Sequence, residues 1–208
     1  MGVVLRTSVL VPAAGLPVEA QYQVWCQAKN LAIDMAQRDP AIYQYDYTVR
    51  ATDGLDFALT RADFNETVTA TGGTTVATYE LSSINAGANN AARRDRVIVI
   101  YGLLVASHVD SITSIRWVIG GQRTHQWFLG PIFADDPTRQ ARADRTLYVM
   151  PDPNGWIDPV QIPTGASVLV EHYVRTGTAV GIQASDIVYL GFTVEPIGGG
   201  GAGLSTGG

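Results

Sequence analysis

The chain has 208 residues, of which 46% are apolar and only 16% charged, and its formal net charge is −5. The acidic balance excludes a general electrostatic grip on nucleic acid, and a single cysteine, Cys26, excludes an internal disulfide framework or a cysteine-based zinc site. No run is long and apolar enough to span a bilayer, and the length suits one large domain that can bury its own core.

Charge is sparser than the roughly 25% usual in soluble domains. Such a chain is expected to hide more surface than its own core requires, and partner chains are the simplest cover. Lys29 is the only lysine among the 14 basic residues. The arginine bias fits interfaces, where the planar guanidinium pairs well with carboxylates, and it equally fits GC-rich coding.

Residues 1–16 read as an apolar, extended N-terminal arm. Val3, Val4, Leu5, Val9, Leu10 and Val11 need burial, and no polar alternation protects them. An arm lying on a neighbouring subunit is the favoured reading, and a frayed terminus is the alternative. No secretory leader is expected here. The opening MGVVLRTS misses a myristoylation signal, because its hydroxyl residue comes one place late.

Residues 17–38 predict one amphipathic helix. Pro17 suits a first helical position. Val18, Tyr22, Trp25, Cys26, Ala32 and Met35 recur at helical spacing, with Val24, Ala28 and Leu31 alongside. Asp39-Pro40 ends it, since a residue before proline is pushed out of the helical region. Cys26 on this face reads as core packing.

Tyr43, Tyr45 and Tyr47 alternate with Gln44, Asp46 and Thr48, a strand pattern with aromatics on one face. Such a face packs on a neighbour or offers a sugar-stacking platform. Asp53-Gly54 marks a turn, and 55–64 is ambiguous between strand and short helix. From Thr67 onward strands and turns dominate. Thr67–Ala70 and Thr74–Leu81 around Gly72-Gly73 read as a hairpin, and 85–90 as a polar loop. RVIVIYGLLVAS, residues 96–107, is rich in β-branched residues and reads as a strand buried on both faces.

Residues 112–129 carry the clearest signal. Ile115, Trp117 and Ile119 alternate with Arg116 and Val118. After Gly120-Gly121, His125, Trp127 and Leu129 alternate with Thr124, Gln126 and Phe128. Two alternating runs joined by Gly-Gly predict a hairpin. Residues 134–145 are a charged insertion in which Arg139, Arg142 and Arg145 follow Asp135-Asp136-Pro137 at a three-residue spacing, as in a short helix with an acidic start. Their basic face meets solvent, a neighbouring subunit or packaged nucleic acid. Further strands are expected at 146–150, 156–162, 166–175 and 187–195, and the tail from 198 to 208 is Gly-rich.

Eight strand-like runs from Thr74 onward predict an all-β fold: an antiparallel β-sandwich of jelly-roll-like strand count, with an N-terminal extended arm and one amphipathic helix. An immunoglobulin-like sandwich has the same spacing. The chain divides into an arm, helix and accessory strands (1–66), the sandwich (67–197) and the tail (198–208).

The strand at 98–107, then ITSIRWVIGG, a Trp-bearing strand running into PIFAD, and PTGASVLVEHYV near the end resemble the jelly-roll structural proteins of icosahedral tailless phages and related archaeal viruses. The likeness covers roughly residues 74–195 and is one of strand spacing, with no signature motif. It implies a capsid or cement subunit of a virion that associates with copies of itself or with other capsid proteins, its arm reaching across neighbours.

No catalytic motif stands beside that reading. Gly120-Gly121-Gln122 matches the tripeptide of peptide-release factors but reads as a turn between strands. His108, Asp110, His125, His172 and Asp135-Asp136 lack the convergent spacing a metal site needs. No nucleophile elbow is present, and a carboxylate pair such as Asp135 with Glu171 could be chosen in many ways. Asn65-Glu66-Thr67 is a formal glycosylation acceptor of a kind common by chance.

The expectation is therefore a non-enzymatic virion structural protein without cofactor or metal, self-assembling or binding other shell subunits, with no specific nucleic acid and no membrane span. Its candidate interface residues are Val3, Leu5, Val9, Val11, Tyr43, Tyr45, Tyr47, Arg139, Arg142 and Arg145. The alternative is a carbohydrate-binding or receptor-binding sandwich module with a glycan partner, stacking on exposed residues such as Tyr45 or Trp156.

Overall fold

The structure, a computed structural model, describes residues 5–12, 16–51, 67–69, 75–80, 96–105, 112–129, 146–149, 157–174, 179–181 and 187–197. Along these residues the order is β1 (Arg6–Pro12), α1 (Val18–Arg38), β2 (Tyr47–Ala51), β3 (Thr67–Thr69), β4 (Thr75–Glu80), β5 (Val97–Val105), β6 (Ile112–Ile119), β7 (Gln122–Leu129), β8 (Thr146–Val149), β9 (Val160–Ile162), β10 (Val168–Val174), β11 (Ala179–Gly181) and β12 (Ile187–Pro196).

The hairpin forms where the alternation places it. Gly120 and Gly121 take φ of 59° and 75°, the left-handed values that a two-residue hairpin turn needs at both positions. Ile115, Trp117, His125, Trp127 and Leu129 turn inward and are buried. The β6–β7 register slips between Trp117 and Val118, leaving Thr124 as the extra residue of a bulge beside His125.

One sheet runs β4-β10-β6-β7-β1 and the other β1-β8-β5-β12-β2, with β9 beside β5, so β1 belongs to both. The two sheets face each other as a β-sandwich. Trp117 of β6 meets Trp127 of β7 and, across the gap, Tyr189 of β12, in edge-to-face contacts at 5.3 and 5.0 Å. All three rings are fully buried.

The strand expected to be buried on both faces is β5. Val97 and Val99 face α1, while Ile98 and Ile100 take the other side of the alternation. α1 forms a third layer over β5 and β12. The buried stripe is Val24, Ala28, Ala32 and Ala36; the first three belong to the expected apolar face, which is narrower than expected, since Val18 and Tyr22 are exposed. Alanines at four-residue steps give a flat strip that lets the helix lie close to the sheet, with Trp25, Leu31 and Met35 packed along its flanks. Pro17 is the residue before the first turn, and Asp39, in extended conformation, ends the helix as expected.

The structure differs from the sequence reading at three other places. Tyr43 and Tyr45 do not lie on a strand: backbone bonds from Ile42 and Tyr43 to the Asp39 carbonyl, and from Tyr45 to that of Ile42, wind 39–45 into turns. Asp39 Oδ1 accepts from the Ala41 amide at 2.9 Å, a local bond that outcompetes the strand alternation. β3 and β4 do not pair as a hairpin; β3 pairs with β11 and β4 with β10, because long-range partners supply their ladders. The β1–β7 pair is parallel, so the sandwich is not wholly antiparallel.

Candidate interaction site

The site is built on β1. Residues Arg6 to Leu10 lie parallel to His125–Leu129 of β7, and Val11 and Pro12 pair antiparallel with Val149 and Tyr148 of β8. The strand closes one edge of each sheet in its own chain. Leu10 is wholly buried. Within residues 6–12 the backbone thus finds ladder partners in its own chain, and of the described side chains there Leu10 is the buried one. Val9 is left 48% exposed, and its register partner Phe128 is 40% exposed. These two side chains form an apolar pair on the outer face.

Of the other candidate interface residues, Leu5 is half-buried, and Val11 is described in its backbone alone. Tyr43 and Tyr45 are exposed. Tyr47 opens β2, is half-buried and accepts a bond from Gln37 Nε2 at 3.3 Å. The structure does not pair Tyr47's strand with β1: in the sheet order β12, β5 and β8 stand between β2 and β1, about 19 Å along the sheet at the usual strand spacing. Val3, Arg139, Arg142 and Arg145 lie outside the described residues, as do Trp156, His108, Asp110, Asp135 and Asp136. Among the described residues no three His, Cys, Asp or Glu side chains group as metal ligands, and no helix is long and apolar enough to cross a membrane.

Beside the apolar pair, the outer face of the same sheet is polar and tightly paired. Arg116 lies directly across from Glu171 on one side and Gln126 on the other. It donates to both at 3.3 Å and stacks its guanidinium over Tyr173 at 4.7 Å. Gln126 Nε2 donates to Ser114 Oγ, also at 3.3 Å. These are cross-strand neighbours, the pairs that stabilise a sheet face. Arg96, one of the arginines before β5, donates from Nε and a terminal nitrogen to Glu195 Oε2 at 3.1 and 2.8 Å.

The inner end of β1 holds a second polar group. Arg6 binds Asp158 at 2.7 Å, and the same carboxylate oxygen lies 3.8 Å from His125 Nε2. Burial pushes the His125 imidazole below its ordinary value; Asp158 pulls it partly back, and Arg6 pushes it further down. Sequence reading missed this cluster. Arg6, His125 and Asp158 are far apart in the chain, and no local spacing joins them.

The helix offers one more aromatic group. Tyr22 stacks on Trp25 with planes at 13° and centroids 5.9 Å apart, Phe192 meets Trp25 edge-on, and Lys29 Nζ sits 5.2 Å from the Trp25 ring. These contacts occupy Trp25 within the fold.

No protein-family model and no curated protein matches this chain. Among solved structures, the crystal structure of dimeric latent PorU from Porphyromonas gingivalis is similar over 72% of this chain, at 13% identity and a TM-score of 0.23. This chain spans 12% of that one's length. A likeness at this level carries no argument about fold or function.

Proposed function

We propose that the protein is a non-enzymatic structural subunit that works by associating with other copies of itself or with other shell proteins. The exposed pair of Val9, on the strand shared by both sheets, and Phe128, its neighbour on β7, carries this reading. Apolar side chains side by side on a rigid sheet face form a surface that gains from being covered, at about 25 cal/mol per Å2 before the costs of association. The exposed Tyr43 and Tyr45 and the sparse charge of the chain support it. A virion shell, as capsid or cement, is the setting that the strand-spacing resemblance implies, with a jelly-roll connection of the strands.

The test is solution mass by light scattering behind size exclusion, over a concentration series. The reading expects a mass that rises well above the 22.2 kDa of one chain and returns toward it in Val9→Asp with Phe128→Asp. Both positions are exposed, so the substitutions spare the core. Deleting residues 1–16 is not a usable test, because it removes β1 from both sheets. A mass of one chain at every concentration overturns the reading.

A further inference from the structure

Three side chains meet where β1 starts. Arg6 is the register partner of His125 in the parallel pairing. Its guanidinium binds Asp158, just before β9, at 2.7 Å. Asp158 Oδ1 is also 3.8 Å from His125 Nε2. His125 is 5% exposed, and its Nε2 is buried without a hydrogen-bond partner. Its other nitrogen, Nδ1, lies 3.0 Å from Thr124 Oγ1. Among the described residues, the groups facing the imidazole are Asp158 from the segment before β9, Arg6 from β1, the neutral Thr124 hydroxyl of its own strand, and Trp117, its uncharged register partner on β6.

We propose that the His125–Asp158–Arg6 cluster is an acid-sensitive latch, holding the start of β1 on β7 and releasing it when His125 takes up a proton. While the imidazole is neutral, the charges of Arg6 and Asp158 cancel. A proton on Nε2 brings a second cation to a single carboxylate. The imidazolium is enclosed and needs Asp158 to offset its lost hydration. Arg6 is 56% exposed and can exchange the carboxylate for water. The competition therefore resolves by Arg6 leaving, and the first residues of β1 leave with it.

The opening is local. Leu10, wholly buried, and the Val11 and Pro12 pairing with β8 hold the rest of the strand. Release uncovers the edge of β7 from His125 to Phe128, a row of unpaired backbone groups able to take another strand. The latch does not depend on the assembly reading, since its groups all belong to one chain.

The test is amide hydrogen exchange on the full chain, followed by NMR and corrected for the intrinsic pH dependence of exchange. The expected result is that protection of the alternate amides between Arg6 and Leu10 that bond to β7 falls about tenfold or more between about pH 7.5 and about pH 5, across the ordinary imidazole range, while β5 and β12 keep theirs. In His125→Gln, which removes the titration, the fall is absent. Protection of β1 that does not change with pH overturns the proposal. So does an equal fall in His125→Gln, or a fall in step with β5. If that variant does not fold, the wild-type His125 ring and a β1 amide bonded to β7 are titrated together: one shared midpoint supports the latch, and separate midpoints overturn it.

Discussion

Trp117 and Tyr189 meet edge-to-face across the sandwich, with centroids 5.0 Å apart and planes at 70°, and this contact joins the sheet containing β6 to the sheet containing β12. Trp117 also touches Trp127, so one indole packs against aromatic rings from both sheets. Trp117→Ala is expected to cost about 3–5 kcal/mol, the range for a large aromatic removed from a core. Urea unfolding of the variant and the parent checks it. A loss under about 1 kcal/mol would mean that the sheets are held mainly elsewhere.

Gly191 sits at the irregularity of the β12–β5 ladder, between Leu190 and Gly191. A Cβ there would run into the Val99 carbonyl oxygen, which is backbone and cannot swing aside. Gly191→Ala is expected to destabilise by about 1–3 kcal/mol, as overpacking does. Its partner strand β5 should lose exchange protection together with β12, since the two must separate to admit the methyl group.

Asp39 ties the end of α1 to the turn between β9 and β10. One carboxylate oxygen accepts from the Ala41 amide at 2.9 Å and the other from Thr164 Oγ1 at 2.6 Å. Asp39→Ala is expected to cost about 1–3 kcal/mol, the scale of hydrogen bonds to a charged acceptor. A double-mutant cycle with Thr164→Ala should show a coupling of about 0.5 kcal/mol or more. Additive losses would mean that the Thr164 bond contributes nothing of its own.

Stability should fall on the acid side of neutrality because of His125. Burial lowers its folded-state value, so the unfolded chain binds the proton more readily. Well above the ordinary imidazole value of about 6.5, the ring is neutral in both states and contributes no slope. As pH falls through that value the unfolded chain is protonated first, and stability declines until the folded ring titrates at its own lower value. The difference between parent and His125→Gln in urea midpoint, measured at about pH 8 and about pH 5, isolates this effect from the carboxylates. Equal pH dependence in the two proteins would rule it out.

Arg116 is held by Glu171, Gln126 and Tyr173 on one sheet face. Arg116→Lys keeps the charge and loses the planar fork and the stacking. A loss of about 0.5–1.5 kcal/mol is expected, comparable to one or two cross-strand pairs. Arg116→Met, which keeps an unbranched apolar stem without the charge, should lose more if the ion pair with Glu171 is net stabilising. If it loses less, desolvation outweighs the charge attraction.

Local chemistry determined part of this architecture directly. The Gly120-Gly121 turn, the alternation of Ile115, Trp117, His125 and Trp127, the β-branched run of β5 and the Asp39-Pro40 stop each depend on a few adjacent residues, so they are legible in the chain and present in the fold. What neighbours in space decide was not legible. The sequence placed Val24, Ala28 and Ala32 on the apolar helix face, but the sheet beneath decides that Ala36 completes the buried strip and that Val18 and Tyr22 stay outside it. The tyrosines at 43 and 45 follow Asp39 into turns despite their strand-like alternation. β3 and β4 take partners more than 80 residues away, β11 and β10. The candidate site divides in the same way. Val9 was recognisable as an apolar residue in need of cover, whereas its neighbour Phe128, and the meeting of Arg6, His125 and Asp158, exist only because β1 is laid parallel to β7. Side-chain period is a property of a segment; pairing, register and the sharing of β1 between two sheets are settled by burial and hydrogen bonding between segments distant in the chain.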